Sequence, residues 1–162
     1  MGAVSNASPL IFLNKIGQVQ LPRKLFRGPF LISSHVRFEI LEAIEDGEEK
    51  KSLQAELTHW KVKEIKPDLP KHESPGSPAD WSVFKLARQS RPDVVLADDR
   101  FLRRILSAAQ FPVLGTLGIL TLATRRKIIS AKEARASAEL LVEKHRFWID
   151  ASVYSRFLRS LK

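Results

Sequence analysis

A short apolar run that ends at two adjacent aspartates is the feature that most constrains how this chain can fold. Residues 94–97, VVLA, have the length and composition of a buried strand, and Asp98 and Asp99 follow directly. Open α/β sheets bind their ligands at the carboxyl ends of their strands, so this acidic pair predicts a functional site. The alternative is that Asp98 or Asp99 only caps the helix that follows, because Asp is a favoured N-cap residue.

Short strand-like segments alternate with helical segments along the chain. The predicted strands are residues 3–5, 30–32, 60–65, 94–97 and 111–114. This alternation predicts a three-layer α/β/α fold with a largely parallel central sheet. At 162 residues, the chain is expected to form one domain over residues 1–162. Ser8 with Pro9 predicts the start of the first helix, and Asp46 with Gly47 the end of the helix after the second strand.

The charge of the chain favours a polyanionic partner. The formal net charge is +9 and the pI is about 10.1, which is typical of nucleic-acid-binding proteins. The alternative is an ordinary basic protein, since net charge reports on partners and solubility rather than on fold. The basic residues that we expect to hold a nucleic-acid backbone are Arg100, Arg103, Arg104, Arg125, Arg126 and Lys127.

Several classes of site are excluded by composition. The chain has no cysteine, which excludes disulfides, thiolate zinc sites and cysteine nucleophiles. Its four histidines are scattered without the paired spacing of a zinc site. The amino-terminal stretch has no basic region before its apolar residues, and the longest apolar run, residues 113–123, is interrupted by two glycines. We therefore expect a soluble cytoplasmic protein with no membrane partner.

Polar side chains follow, or lie close to, the ends of several predicted strands. Asn6 follows the first strand, Glu39 lies on the helix after the second, and Asp80 begins the helix before the strand that ends at Asp98 and Asp99. If these strands are parallel neighbours, the polar groups can converge at one edge. Carboxylates packed together repel unless a cation lies among them, and oxygen ligands alone suit Mg²⁺ or Mn²⁺.

Each of these residues also has a purely structural interpretation. Asn6 can be a turn residue whose side chain bonds nearby backbone. Glu39 can be a solvated residue on a helix face, and Asp80 can be a helix N-cap. Composition and spacing leave both interpretations open.

Three separated motifs carry a resemblance to a known family. They are VSNASPLI at residues 4–11, DDR at residues 98–100 and GTLGIL at residues 115–120. In this order they resemble a small prokaryotic subgroup of PIN domains, over roughly residues 3–130. Residues 131–162 would then be C-terminal helices added to that core.

The resemblance implies a metal-dependent ribonuclease that hydrolyses RNA phosphodiesters with Mg²⁺ or Mn²⁺. Carried over by position, Glu39, Asp80 and Asp98 are the catalytic acids, and Asn6 joins them as a metal ligand. Asp99 is an extra candidate ligand, and Ser8 matches a hydroxyl residue that supports the metal site. The resemblance also implies kinship with the toxins of toxin–antitoxin pairs, and hence an antitoxin-like protein partner and a homodimer.

Two departures from the family pattern keep a second hypothesis open. Asn6 stands where the family has its first acid, and residues 79–82, ADWS, replace a segment richer in glycine and glutamate. A neutral amide brings no charge to a metal site, so the alternative is a catalytically weak or inactive PIN-like module that binds nucleic acid. The C-terminal aromatic residues Phe147, Trp148, Tyr154 and Phe157 are either core or a dimer or partner surface.

Overall fold

A parallel sheet organises the fold. The structure, a computed structural model, describes residues 2–45 and 47–162. Within them the sheet has five strands in the order β3-β2-β1-β4-β5, and every neighbouring pair is parallel. The strands are β1 (Ala3–Ser5), β2 (Phe30–Ser33), β3 (Lys61–Lys63), β4 (Val94–Leu96) and β5 (Val113–Leu114). The predicted α/β class and parallel sheet are therefore confirmed.

Helices connect the strands and cover the sheet. They are α1 (Ala7–Lys15), α2 (Leu21–Leu25), α3 (Ser34–Glu42), α4 (Gly47–Leu57), α5 (Pro78–Ser90), α6 (Arg100–Ala108), α7 (Thr116–Arg125), α8 (Ala131–Lys144) and α9 (Ala151–Ser160). The crossovers from β1 to β3 run one way across the sheet, and those from β3 to β5 run the other way. Because parallel crossovers are right-handed, this reversal places helices on both faces and gives three layers.

The reversal also defines where a site is expected. After β1 the chain moves to β2, whereas after β4 it moves to β5 on the opposite side. The topological switch point therefore lies between β1 and β4, and ligands of open α/β sheets bind in the crevice at that point. The register pairs Ser5 with Leu96, and Asn6 N donates to Leu96 O over 2.9 Å. Asn6 and Asp98 thus follow neighbouring strands at the same edge.

Two predicted helix boundaries need correction. The first helix begins at Ala7 with Asn6 as its N-cap, so the prediction that Ser8 is the cap is wrong. The chain turns as soon as β1 ends, and this leaves Ser8 already inside the first turn. Helix α3 ends at Glu42, before the end predicted at Asp46 and Gly47. Asp46 lies outside the described residues.

The core surrounds β4. Val95, Leu96 and Ala97 have no exposed surface, as expected of a central strand covered on both faces. Buried residues of the C-terminal helices, among them Leu141 and Phe157, belong to the same hydrophobic cluster. This packing is what a single domain over residues 1–162 requires, and the domain assignment itself stays a prediction. None of the helices in the described parts of the chain is long and apolar enough to cross a membrane.

A test of the fold uses the glycine that precedes β1. Gly2 has a φ of +82°, and a β-carbon there would overlap the carbonyl oxygen of Pro29, which accepts a hydrogen bond from Ala3 N. We expect Gly2→Ala to lower the free energy of unfolding by about 2 kcal/mol or more, measured by urea denaturation. Gly17, with a φ of +69° but open space around it within the described structure, is the control. Gly17→Ala should cost about 1 kcal/mol, and equal losses would contradict the packing described here.

Candidate active site

A contact between Asn6 and Asp80 forms the centre of the site. Asn6 is 5% exposed, and its Nδ2 donates to Asp80 Oδ1 over 3.4 Å. Its side chain makes no capping bond to α1 although it occupies the N-cap position, so the interpretation of Asn6 as a turn residue bonded to nearby backbone is wrong. Asn6 Oδ1 is buried and has no hydrogen-bond partner in the described structure. A buried acceptor without a partner costs free energy, which a bound cation would recover.

Asp80 is held by the start of its own helix. Ser77 is the N-cap of α5, and Asp80 is the third helical residue of a capping box. Asp80 Oδ2 accepts from Ser77 N over 2.9 Å, while Ser77 Oγ accepts from Asp80 N over 3.1 Å. Asp80 is therefore not the N-cap itself. Its carboxylate closes the first turn with one oxygen and faces Asn6 with the other.

Glu39 lies close enough to Asp80 for the two carboxyl groups to interact electrostatically. The residue is exposed, yet its carboxyl has lost part of its hydration, and this loss is the main cause of its raised pKa. The negative charge of Asp80 raises that pKa further, and His35, one turn earlier on α3, opposes the rise. Two carboxyl groups that repel each other in this way are a feature of cation sites.

A pair of buried serines fixes the two helices that carry these acids. Ser82 Oγ donates to Ala79 O over 2.6 Å, so its contact with Ser33 Oγ at 2.7 Å is one in which Ser33 donates. Ser33 Oγ also accepts from Val36 N and so caps α3. This chain of hydrogen bonds sets the position of α3, and hence Glu39, relative to α5.

Asp98 binds the start of α7. Its Oδ1 accepts from Thr116 N and its Oδ2 accepts from Thr116 Oγ1, both over 2.7 Å. The N-cap residue of α7 is a glycine, so Asp98 supplies the acceptor that a capping side chain would provide. Burial raises the pKa of the Asp98 carboxyl, while the bonds from Thr116 and the charge of Arg103 oppose that rise.

Gly115 permits this close approach. A β-carbon at position 115 would lie 2.8 Å from Arg103 Nη1 and 2.9 Å from Asp98 Oδ1. Arg103 Nη1 also donates to Ala97 O over 2.9 Å, which holds the guanidinium beside the end of β4. The absence of a side chain at this position thus lets an acid, an arginine and a helix amino terminus meet.

Asp99 and Ser8 have other surroundings. Asp99 is the N-cap of α6, and its Oδ1 accepts from Leu102 N over 2.7 Å. The capping interpretation of the acidic pair therefore holds for Asp99, whereas Asp98 caps a different helix. Ser8 is half-buried on the first turn of α1, two residues after Asn6.

The predicted site residues separate into two groups at one edge of the sheet. Asn6, Asp80 and Glu39 form one group, and Asp98 on the neighbouring strand turns towards α7. Across residues 2–45 and 47–162, no three acidic or histidine side chains are arranged as a ready metal cluster.

The predicted basic residues form two separate clusters. Arg100, Arg103 and Arg104 lie on α6 next to Asp98. Arg125, Arg126 and Lys127 lie at the far end of the ten-residue α7, about 15 Å from its start. The Arg126 guanidinium donates to Leu25 O and so joins α7 to α2. The first basic cluster therefore borders the site, and the second does not.

Thr116 and Ser77 contact the predicted acids although neither was expected from the sequence to be a site residue. Thr116 opens the GTLG segment directly after β5, and Ser77 precedes Pro78 and stands three residues before Asp80. The Ser77–Asp80 spacing is that of a capping box and was a usable signal. No local signal pairs Thr116 with an acid eighteen residues earlier.

Comparison with known families identifies the family of the chain. A family model described as a PIN domain matches residues 2–162, and the chain therefore belongs to the PIN domain family. PIN domains are generally nucleases and typically use divalent metal ions, so nuclease function is what this membership indicates. No curated protein shows a significant match to the chain.

The role of Asp99 can be separated from metal binding by substitution. Asp99→Ala should lower the free energy of unfolding by about 1 kcal/mol, because α6 loses its cap. Asp99→Ser should restore most of that stability, since serine also caps, and should leave nuclease activity unchanged. Urea denaturation and an RNA-cleavage assay measure the two properties. Wild-type stability with lost activity in Asp99→Ser would instead make Asp99 a ligand.

Proposed function

We propose that the protein is an endoribonuclease that uses Mg²⁺ or Mn²⁺ to hydrolyse RNA phosphodiesters. The observation that carries the proposal is the unpaired, buried Oδ1 of Asn6 beside the carboxylate of Asp80 at the switch point of the sheet. An unpaired amide oxygen alone does not define a site. Asn14 also has one, but its Nδ2 donates to the backbone oxygen of Glu49 over 2.9 Å rather than to an acid.

The residues present fit a hard divalent cation. Asn6, Glu39, Asp80 and Asp98 would hold it through oxygen atoms, which Mg²⁺ and Mn²⁺ prefer. When bound, such an ion supplies Lewis-acid activation of water and stabilises charge on the phosphate. We leave Asp99 outside this ligand set, because its carboxylate caps α6 and, unlike Asp80, makes no hydrogen bond with Asn6 in the described structure.

The other residues of the site orient its acids and neutralise negative charge. The hydrogen bonds from Thr116 keep Asp98 in one position, yet each carboxylate oxygen retains a lone pair for a further partner. Arg103 places a fixed positive charge beside Asp98, where an RNA phosphate would enter. Ser8, on the first turn of α1 two residues after Asn6, is proposed as a supporting residue of the site.

The resemblance to toxins also supports a proposal about the cellular role and the partners of the protein. We propose that the chain acts in the cytoplasm as the toxin of a toxin–antitoxin pair, forms a homodimer and is held inactive by an antitoxin-like protein. Its support is the motif pattern of residues 4–11, 98–100 and 115–120 together with family membership.

Cleavage of a mixed single-stranded RNA pool tests the proposal. Cleavage should require Mn²⁺ or Mg²⁺ and stop when EDTA removes the metal. Asp98→Asn should reduce the rate by about 100-fold or more. Asparagine can keep both contacts with Thr116, since its Oδ1 accepts from the amide and its Nδ2 donates to the hydroxyl, so the fold should remain.

Asp93→Asn is the matched control for that experiment. Asp93 lies at the amino end of β4, where its Oδ2 accepts from Gly2 N over 3.0 Å, a bond that asparagine can also accept. Its cleavage rate should equal that of the wild type. Metal-independent cleavage, or full activity in Asp98→Asn, would contradict the proposal.

A second candidate function is an inactive or weakly active module that binds nucleic acid. Two observations favour it: the residue after β1 is a neutral amide, and both oxygens of Asp98 are already bonded to Thr116. Clean wild-type protein that binds RNA in a salt-dependent manner but never cleaves it would establish this alternative.

A further inference from the structure

A groove of about 560 Å³ extends from Asp98 to the segment between α8 and α9. We call it the Trp148 groove, and its defining residues are Asp98, Arg100, Arg103, Arg104, Leu117 and Trp148. It therefore contains one acid of the candidate active site, three arginines and an aromatic ring in one continuous depression.

The Trp148 side chain is held outward by its neighbours. Trp148 is 91% exposed, whereas Phe147 before it is 8% exposed and packs edge-to-face on Phe12, with ring centroids 4.9 Å apart. Phe147 N donates to Leu141 O over 3.1 Å, and Asp150 caps α9. Contacts thus hold this short segment on both sides of Trp148, whose indole is almost fully exposed.

The arginines of the groove occupy one face of α6 at its amino end. Arg100 and Arg103 lie in or next to the first turn, where the helix dipole disfavours cations. Basic residues at this end of a helix carry a local cost that contacts with a negatively charged partner would offset. Arg103 is held by Ala97 O, and the guanidinium carbon of Arg104 lies 5.8 Å from the centroid of the Phe101 ring.

The acids that line the groove do not cancel this charge. Asp98 is enclosed and bonded to Thr116. Asp150 accepts from Ser152 N over 2.8 Å, and its pKa is lowered mainly by its bonds to Ser152, with Arg100 adding to the effect. Three arginines against two carboxylates leave the lining of the groove with a formal net charge of +1.

We propose that the Trp148 groove binds single-stranded RNA, with one base stacked on the Trp148 indole and the flanking phosphates on Arg100 and Arg104. This inference rests on the proposed function and specifies how that site receives its substrate. Aromatic rings interleaved with arginines bind single strands because every unpaired base offers a face for stacking. In a duplex those faces are covered, so the groove should prefer single strands.

Tryptophan fluorescence offers a direct measurement of stacking. Trp60 is 3% exposed, Trp81 is half-buried and Trp148 is 91% exposed, so Trp148 is the most exposed of the three indoles, and quenching that Trp148→Phe abolishes is the part due to stacking on Trp148. A short single-stranded oligoadenylate, added in EDTA so that cleavage cannot occur, should quench the fluorescence of the wild-type protein. The same oligonucleotide in a duplex should bind more weakly.

Substitutions then distinguish the contribution of stacking to RNA affinity from the contribution of charge. Trp148→Ala should weaken binding by about fivefold or more, measured by anisotropy of labelled RNA, whereas Trp148→Phe should stay within about threefold of the wild type. Arg104→Gln should weaken binding and lower the slope of log affinity against log salt by about 0.7. Leu69→Ala, which removes an apolar side chain 55% exposed outside the groove, is the control and should change nothing.

The outcomes distinguish this inference from the proposed function. RNA affinity in Trp148→Ala equal to that of the wild type would overturn the inference, even if metal-dependent cleavage is observed. So would unchanged RNA affinity together with a lower oligomeric mass in Trp148→Ala, which would make the groove an interface between copies. Loss of RNA affinity on substitution of Trp148, in a protein that never cleaves, would support the groove and refute the nuclease.

Discussion

The pairing of β1 with β4 is the constraint on which the rest of the structure depends. The bond from Asn6 N to Leu96 O extends the parallel register past the end of β1 and fixes how the two chain segments leave the sheet. Because the chain changes direction across the sheet at this pair, the crossovers within residues 2–45 and 47–162 leave the two strands on opposite sides and a crevice opens between them. Asn6 and Asp98 emerge there, and α5 brings Asp80 to the same edge.

Two of the acids around this crevice, Asp80 and Asp98, each make a structural contact and keep a lone pair free for a cation. Asp80 closes the first turn of α5, and Asp98 binds the amino end of α7. Helix amino termini stabilise negative charge, so these two carboxylates are supported by backbone dipoles before any cation arrives. Glu39 has no such support, and its pKa is raised mainly by loss of hydration, as the pKa of Asp98 is by burial. A site of this kind can fold in the absence of metal and still bind a metal ion.

Much of the fold followed from short-range patterns, because buried strands and helix starts have local signals. The run at residues 94–97, the edge strand at 60–65 and the acid after β4 all lie close to where periodicity and composition placed them. The site was less predictable because its contacts join distant segments. Nothing near Asn6 shows that its amide reaches Asp80 instead of capping α1, and nothing near Asp98 indicates Thr116. The C-terminal aromatic residues could not be sorted into buried Phe147 and exposed Trp148 without the turn that ends α8.

The proposed metal site requires that Asn6, Glu39, Asp80 and Asp98 together hold a divalent cation. Calorimetric titration of Mn²⁺ into the wild type, Asn6→Asp and Asp80→Asn measures this binding. Asn6→Asp should bind at least about tenfold more tightly, because a negative charge replaces a neutral ligand, and Asp80→Asn should bind more weakly. Equal affinities in all three proteins, with the fold intact by circular dichroism, would contradict the proposed site.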